Sequence, residues 1–205
     1  GVAERVETVA LIGWKNPGRR ASTIAVPAGK KGIYLIAVDP AAEDRVTGFQ
    51  SLLADLPPEL KHLQVDDVAE PFQISDELRD NRRPRRGIIV GEELARALYL
   101  ERGAEVALMS VRLDQDAGEN GEEGVFRASN EVFYLAGVFR SGMYEQNMFT
   151  VYVPLEAGKE MMKRSGYSAR KIAIGTDDFD GARRIRDACR QALLDKGFAS
   201  ERLSS

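Results

Sequence analysis

The chain has one cysteine, one histidine and no long apolar run, and each scarcity excludes something. Cys189 has no second cysteine to pair with, so an intrachain disulfide is impossible. It falls at helical spacing with Ile185, Ala192 and Leu193, which predicts a small buried core residue rather than a reactive thiol. Any Ser-His-Asp or Cys-His centre would have to use His62. That residue follows the Pro57-Pro58 turn, without a cysteine at metal-ligand spacing and without a Gly-x-Ser-x-Gly elbow, so it reads as a surface or satisfied histidine. No apolar stretch approaches the roughly 18–20 residues that span a bilayer. No signal-peptide pattern stands at the N-terminus. The sequence opens at Gly1 inside what reads as structured sequence, as an excised piece of a longer chain would. The lack of membrane helices then describes this piece alone. A net charge of −3 gives no bulk attraction to nucleic acid or anionic lipid.

What is present is an ordinary globular composition, 43% hydrophobic and 30% charged over 205 residues. That length buries a substantial core as one domain or two small subdomains. The stretch from Val132 to Leu155 is the most telling. Val132, Tyr134, Ala136 and Val138 fall on one face, and Phe133, Leu135, Gly137 and Phe139 on the other. Both faces are apolar, which predicts a strand covered on both sides. Arg140-Ser141-Gly142 breaks the alternation, Phe149 to Val153 resumes it, and Pro154 ends it.

Elsewhere strands are predicted at Val6–Trp14, Ser22–Val26, Gly32–Val38, Gly87–Val90, Gly103–Val111 and Lys171–Ile174. Asp39-Pro40 starts a helix whose apolar face is Val46, Phe49, Leu52 and Leu53. Further helices are expected at Glu92–Tyr99, Leu155–Arg164 and from about Asp178 to Lys196, with Gly197 as the stop. No internal repeat and no regular strand–helix alternation shows. The expected class is α+β. A β-rich subdomain, residues 87–162, is expected as an insertion in an α/β subdomain formed by 1–86 and 163–205.

Four features invite a chemical reading. Gly91 at a strand–helix junction stands without a Gly-x-Gly-x-x-Gly or a Walker lysine. Glu92 and Glu93 then occupy the place a phosphate would need, so the junction reads as structural. Thr176-Asp177-Asp178-Phe179-Asp180-Gly181, with Asp187, weakly mimics a calcium loop, but a helix predicted from Gly181 would swallow it. Arg82, Arg83, Arg85 and Arg86 form a basic run with no interleaved aromatic, following Asp76, Glu77 and Asp80, and read as a solvated connector. Asp114, Asp116, Glu119, Glu122 and Glu123, between Arg112 and Arg127, read as an exposed hairpin tip. Met143 and Tyr144, with Met148 and Phe149, are either core at a strand bend, the favoured reading, or an exposed apolar lip for a partner.

Gly137-Val138-Phe139 followed by Ser141-Gly142-Met143-Tyr144-Glu145 resembles the "VxGxF…GMYEYD" signature of the extracytoplasmic domain of LolC/LolE-type ABC transporter permeases. Those permeases share a superfamily with MacB and FtsX. Gly87 to Ala95, GIIVGEELA, is similar to that family's strand–Gly–helix segment, and Gly32 to Pro40, GIYLIAVDP, to its "lrGidP" strand. The three come in the family's order and cover about two thirds of the chain. Gln146-Asn147 stand where the family often has Tyr-Asp.

The resemblance implies a MacB-like core with subdomains called Porter (1–86 plus 163–205) and Sabre (87–162), at the periplasmic face of the inner membrane. It implies a non-catalytic domain, without cofactor or metal, that couples cytoplasmic ATP hydrolysis to lipoprotein release or transport of amphipathic cargo. Its partners would be permease membrane helices, a separate ATPase subunit, a periplasmic carrier or lipoprotein cargo and a second copy in a dimeric transporter, with no nucleic acid. The family's Hook extension, which recruits a carrier, falls near Arg112–Arg127. It is Pro- and Arg-bearing there and acidic here, so a partner with a basic surface suits this tip better. Partner-binding residues are then Arg112, Asp114, Asp116, Glu119, Glu122, Glu123, Arg127, Met143 and Tyr144. Two other classes stay open on the sequence. One is a free-standing hydrolase using converging carboxylates. The other is a nucleic-acid-binding module centred on Arg82–Arg86.

Overall fold

A computed structural model describes residues 1–14, 31–75, 78, 86–114, 125–165, 171–176 and 181–196. The elements are β1 (Val2–Trp14), β2 (Lys31–Val38), α1 (Pro40–Thr47), α2 (Phe49–Ala54), a 3₁₀ turn (Pro58–Leu63), β3 (Gly87–Gly91), α3 (Glu92–Leu98), β4 (Glu105–Asp114), β5 (Val125–Phe139), α4 (Tyr144–Phe149), β6 (Thr150–Pro154), α5 (Leu155–Ser165), β7 (Lys171–Ile174) and α6 (Ala182–Asp195). The class is α+β, as expected.

Six strands close a barrel in the order β1-β2-β6-β3-β5-β4, and β4 returns to β1. Closure rests on the length of β1. Arg5 to Ile12 pair with β2, and Leu11 to Trp14 pair with β4. β7 adds outside the ring, on Val2 to Arg5. The neighbours β2–β6 and β3–β5 are parallel, and the other four pairs antiparallel. The ring takes β1 and β2 from residues 1–86 and β3 to β6 from 87–162, so both stretches share one interior.

That interior follows strand alternation. Val6, Ala10 and Ile12, Ile33 and Leu35, Ile88 and Val90, Val106 and Leu108, Phe133 and Leu135, and Val151 and Val153 are all buried in one cluster. β5 is covered on both faces, as its pattern predicted. Its simple two-face assignment needs correction. Ile88 pairs with Leu135 but Ile89 with Gly137, so a bulge at Ala136 shifts the alternation. Val138 therefore joins Phe133 and Leu135 inside, while Phe139 faces out.

Outside, a second core sits on β6, β3 and β5. Phe49, Leu53 and Val65 pack on Ile89, Phe139 and Tyr152. The Tyr152 ring lies 4.9 Å from Phe49 and 5.1 Å from Phe139. The helix predicted from Asp39 is in fact two. Asp39 caps it through Ala42 N–H (2.8 Å), and Gly48, with φ of 67°, breaks it before Phe49.

The topology holds a repeat that the sequence does not display. Exchanging β1 with β4, β2 with β5 and β3 with β6 returns the same ring with the same strand directions. Tyr34 is opposite Thr150, the first residue of β6, and Tyr134 is opposite Gly87, the first residue of β3. Tyr34-Leu35 and Tyr134-Leu135 thus hold equivalent rungs. A barrel interior asks only for apolar groups of the right parity, so two halves can keep one fold and share few identities.

The remaining expectations divide. Cys189 is half-buried on α6, none of whose residues is buried, so the core-cysteine reading is corrected. The helix is amphipathic, but the face carrying Cys189 lies at the edge of the molecule. The predicted strand at Ser22–Val26, the Asp178 cap and the Gly197 stop lie outside the described residues. So do Arg82, Arg83 and Arg85; Arg86 is exposed and bonds Glu160 on α5 at 3.1 Å. Of the two readings of His62, surface or satisfied, the structure gives the first: it is exposed on the 3₁₀ turn.

Candidate functional site

At one end of the barrel β3 and β5 finish while β2 and β6 begin. The chain leaving β5 must cross this mouth to enter β6, and does so through Arg140–Met143 and α4. Gly91 makes the crossing possible. A Cβ there would lie 2.0 Å from the Asn147 carbonyl oxygen, so only glycine lets α4 rest on the β3–α3 junction.

A buried polar knot holds the crossing. Glu92 is 6% exposed and Asn147 3%. Asn147 Nδ2 donates to Glu92 Oε1 at 3.2 Å. Arg140 Nε lies 3.3 Å from the same oxygen, and an Arg96 terminal nitrogen 3.7 Å from Glu92 Oε2. Asn147 Oδ1 accepts from the Ser141 amide at 2.9 Å and from the Ser141 hydroxyl at 2.8 Å. The Met143 amide then donates to Ser141 Oγ at 3.2 Å. Arg96 is shared with Glu93 at 2.9 Å. A carboxylate this far out of water needs such partners.

Outside the knot stands an apolar lip. Met143 is 61% exposed and Tyr144 63%, and Phe149 is also exposed. The favoured core reading of these residues is thus corrected: α4 turns them outward because its inward face is given to Asn147. Lys31, at the start of β2, anchors the far end. Its ammonium donates to the Met148 thioether and lies 5.0 Å from the centre of the Phe149 ring.

The other predicted partner residues lie elsewhere. Arg112 and Arg127 are directly opposite one another on β4 and β5, and Asp114 pairs with Val125 at the last rung. Beyond Met109, β4 has left β1, so among the described residues this ribbon is two-stranded. Nothing is described of those three side chains, and Asp116, Glu119, Glu122 and Glu123 lie outside the described residues.

On the outer face, where Arg5 pairs with Val38 near the end of β2, a second buried acid, Glu43 (1% exposed), receives two bonds from Arg5, Nε to Oε2 at 2.7 Å and a terminal nitrogen to Oε1. Thr47 Oγ1 donates to it at 3.0 Å. Burial depresses the Arg5 guanidinium, but the bond to Glu43 and its charge outweigh that and raise it overall. The Tyr152 phenol is raised by burial first and then by the negative charge of Glu43, with Arg5 opposing. Among the described residues no group of three or more His, Cys, Asp or Glu is placed to hold a metal ion, and no helix is long and apolar enough to cross a membrane.

Glu92, Asn147, Arg140 and Lys31 were not legible as a site. Glu92 reads in sequence as an exposed acid at a helix start, and only the crossing of α4 buries it. The one available signal was a polar Asn147 inside a segment too apolar for a solvated loop. Compared with known proteins, the chain matches no protein-family model and no curated protein at a significant level.

Proposed function

We propose that this chain is an extracytoplasmic domain of an ABC transporter permease of the LolC/LolE and MacB kind, and that it transmits motion and binds a partner rather than doing chemistry. Its Porter-like and Sabre-like parts would be residues 1–86 with 163–205, and 87–162. The observation that supports the reading is that the two resembling segments, Ser141–Glu145 and Gly87–Ala95, meet at one barrel mouth through Asn147. This residue stands where the chain departs from the family's pattern; it accepts from Ser141 and donates to Glu92, 55 residues away in sequence, and its backbone rests on Gly91. A motif pair that builds one exposed lip is suited to recognition. Met143 and Tyr144 offer the apolar contact, and the β4–β5 ribbon, with Arg112, Arg127 and its acidic tip, a second arm. Membrane helices of the same parent chain, a cytoplasmic ATPase and a lipoprotein or other amphipathic cargo are the partners this role requires.

The test is to read the parent gene in full. The proposal expects a membrane helix before Gly1 and several after Ser205, with an ATPase encoded alongside. A complete product with no membrane helix on either side overturns it.

A further inference from the structure

We propose that Glu92 is a positioning residue, a latch that holds segment 140–149 across the barrel mouth and so sets the geometry of the Met143–Tyr144 lip. The inference rests on the reading of that lip as a partner surface, and concerns how the surface is kept in shape. α4 is six residues long, too short to persist by itself. Its order must come from tertiary anchors. Lys31 grips only its distal end, through Met148 and Phe149. At the proximal end the Arg140 amide donates to the Leu52 carbonyl at 2.9 Å, and a chain of bonds carries the lip itself: Glu92 accepts from Asn147 Nδ2, which turns Asn147 Oδ1 toward the Ser141 amide, and Ser141 Oγ accepts from the Met143 amide. Glu92 belongs to α3, whose Leu94, Ala95 and Leu98 are buried in the barrel core. The latch therefore joins the lip to the interior, and a displacement of α3 reaches Met143 through three hydrogen bonds. Arg140 and Arg96 set two cations beside the carboxylate.

The latch predicts a charge exchange. Asn147→Asp alone sets a second carboxylate 3.2 Å from the first. Glu92→Gln alone removes the charge that Arg140 and Arg96 face. The double variant restores one carboxylate and one amide, in reversed order.

The experiment is amide hydrogen exchange on the 205-residue chain for wild type, both single variants and the double variant. Each single variant is expected to speed exchange at Ser141 and Met143 about tenfold, because the charge-assisted bond becomes a neutral one in Glu92→Gln and a repulsion in Asn147→Asp, while β3 and β5 amides change little. The double variant is expected to return Ser141 toward the wild-type rate, which a residue that merely packs would not do. Equal acceleration in the barrel strands, unchanged rates at Ser141, or a double variant as fast as the faster single one each overturns the latch. Should a single variant fail to fold, the double variant decides alone, and its failure to protect Ser141 overturns the proposal. Exchange is read on the chain by itself, so failure here leaves the membrane-topology test untouched, and the converse holds.

Discussion

Tyr152 shows how one side chain joins an apolar core to a buried ion pair. Its ring closes the outer core between Phe49 and Phe139, while its phenol responds to Glu43 beside that core. Burial and the Glu43 charge raise its titration above the ordinary 10.0. The folded state therefore holds the phenolic proton more tightly than the unfolded chain does. That contribution is complete below about pH 10 and fades as pH rises through the higher folded value. Urea unfolding from pH 8 upward should show wild-type stability falling more steeply than that of Tyr152→Phe beyond about pH 10. Parallel pH slopes for the two proteins would refute this. The residues that carry the candidate site differ sharply in legibility. Met143 and Tyr144 stand out in sequence as apolar groups in a break between strands. Glu92 does not, because an acid at a helix start is satisfied by the dipole alone and nothing local says it will be covered.

Helices here are short, and tertiary anchors hold them. α1 has a good cap in Asp39 and a proline at its first position, yet it spans only eight residues. The Arg5–Glu43 pair ties it to β1. Arg5→Ala leaves the buried carboxylate of Glu43 without its cation and is expected to cost about 3–5 kcal/mol, measured by denaturant unfolding. A loss near zero would mean that water or Thr47 satisfies Glu43 instead. Element positions were largely legible: the starts of β2, β3 and α3 and the Asp39 cap fall where the pattern places them. The Gly48 break and α4 were not. A glycine inside an apolar period tells little about whether the helix bends or ends, and α4 is marginal as an isolated helix.

At the scale of the molecule the outcome turns on β1, which touches β2, β4 and β7 along its 13 residues. A shared interior predicts that β1 and β2 lose protection together with β3 to β6 in one cooperative unfolding step, measured by native-state hydrogen exchange. β7 pairs over only four residues and α6 buries none, so both should open at lower denaturant. Separate unfolding of β1–β2 from β3–β6 would instead speak for two independent subdomains. The sequence by itself determined the α+β class, most strand positions and the doubly covered β5, because each follows from local periodicity or composition. The ring closure, the twofold repeat, the bulge at Ala136 and the burial of Glu92 and Glu43 were decided only by tertiary structure. These depend on which distant strand or helix arrives beside a residue, and alternation along one strand carries no information about its neighbours.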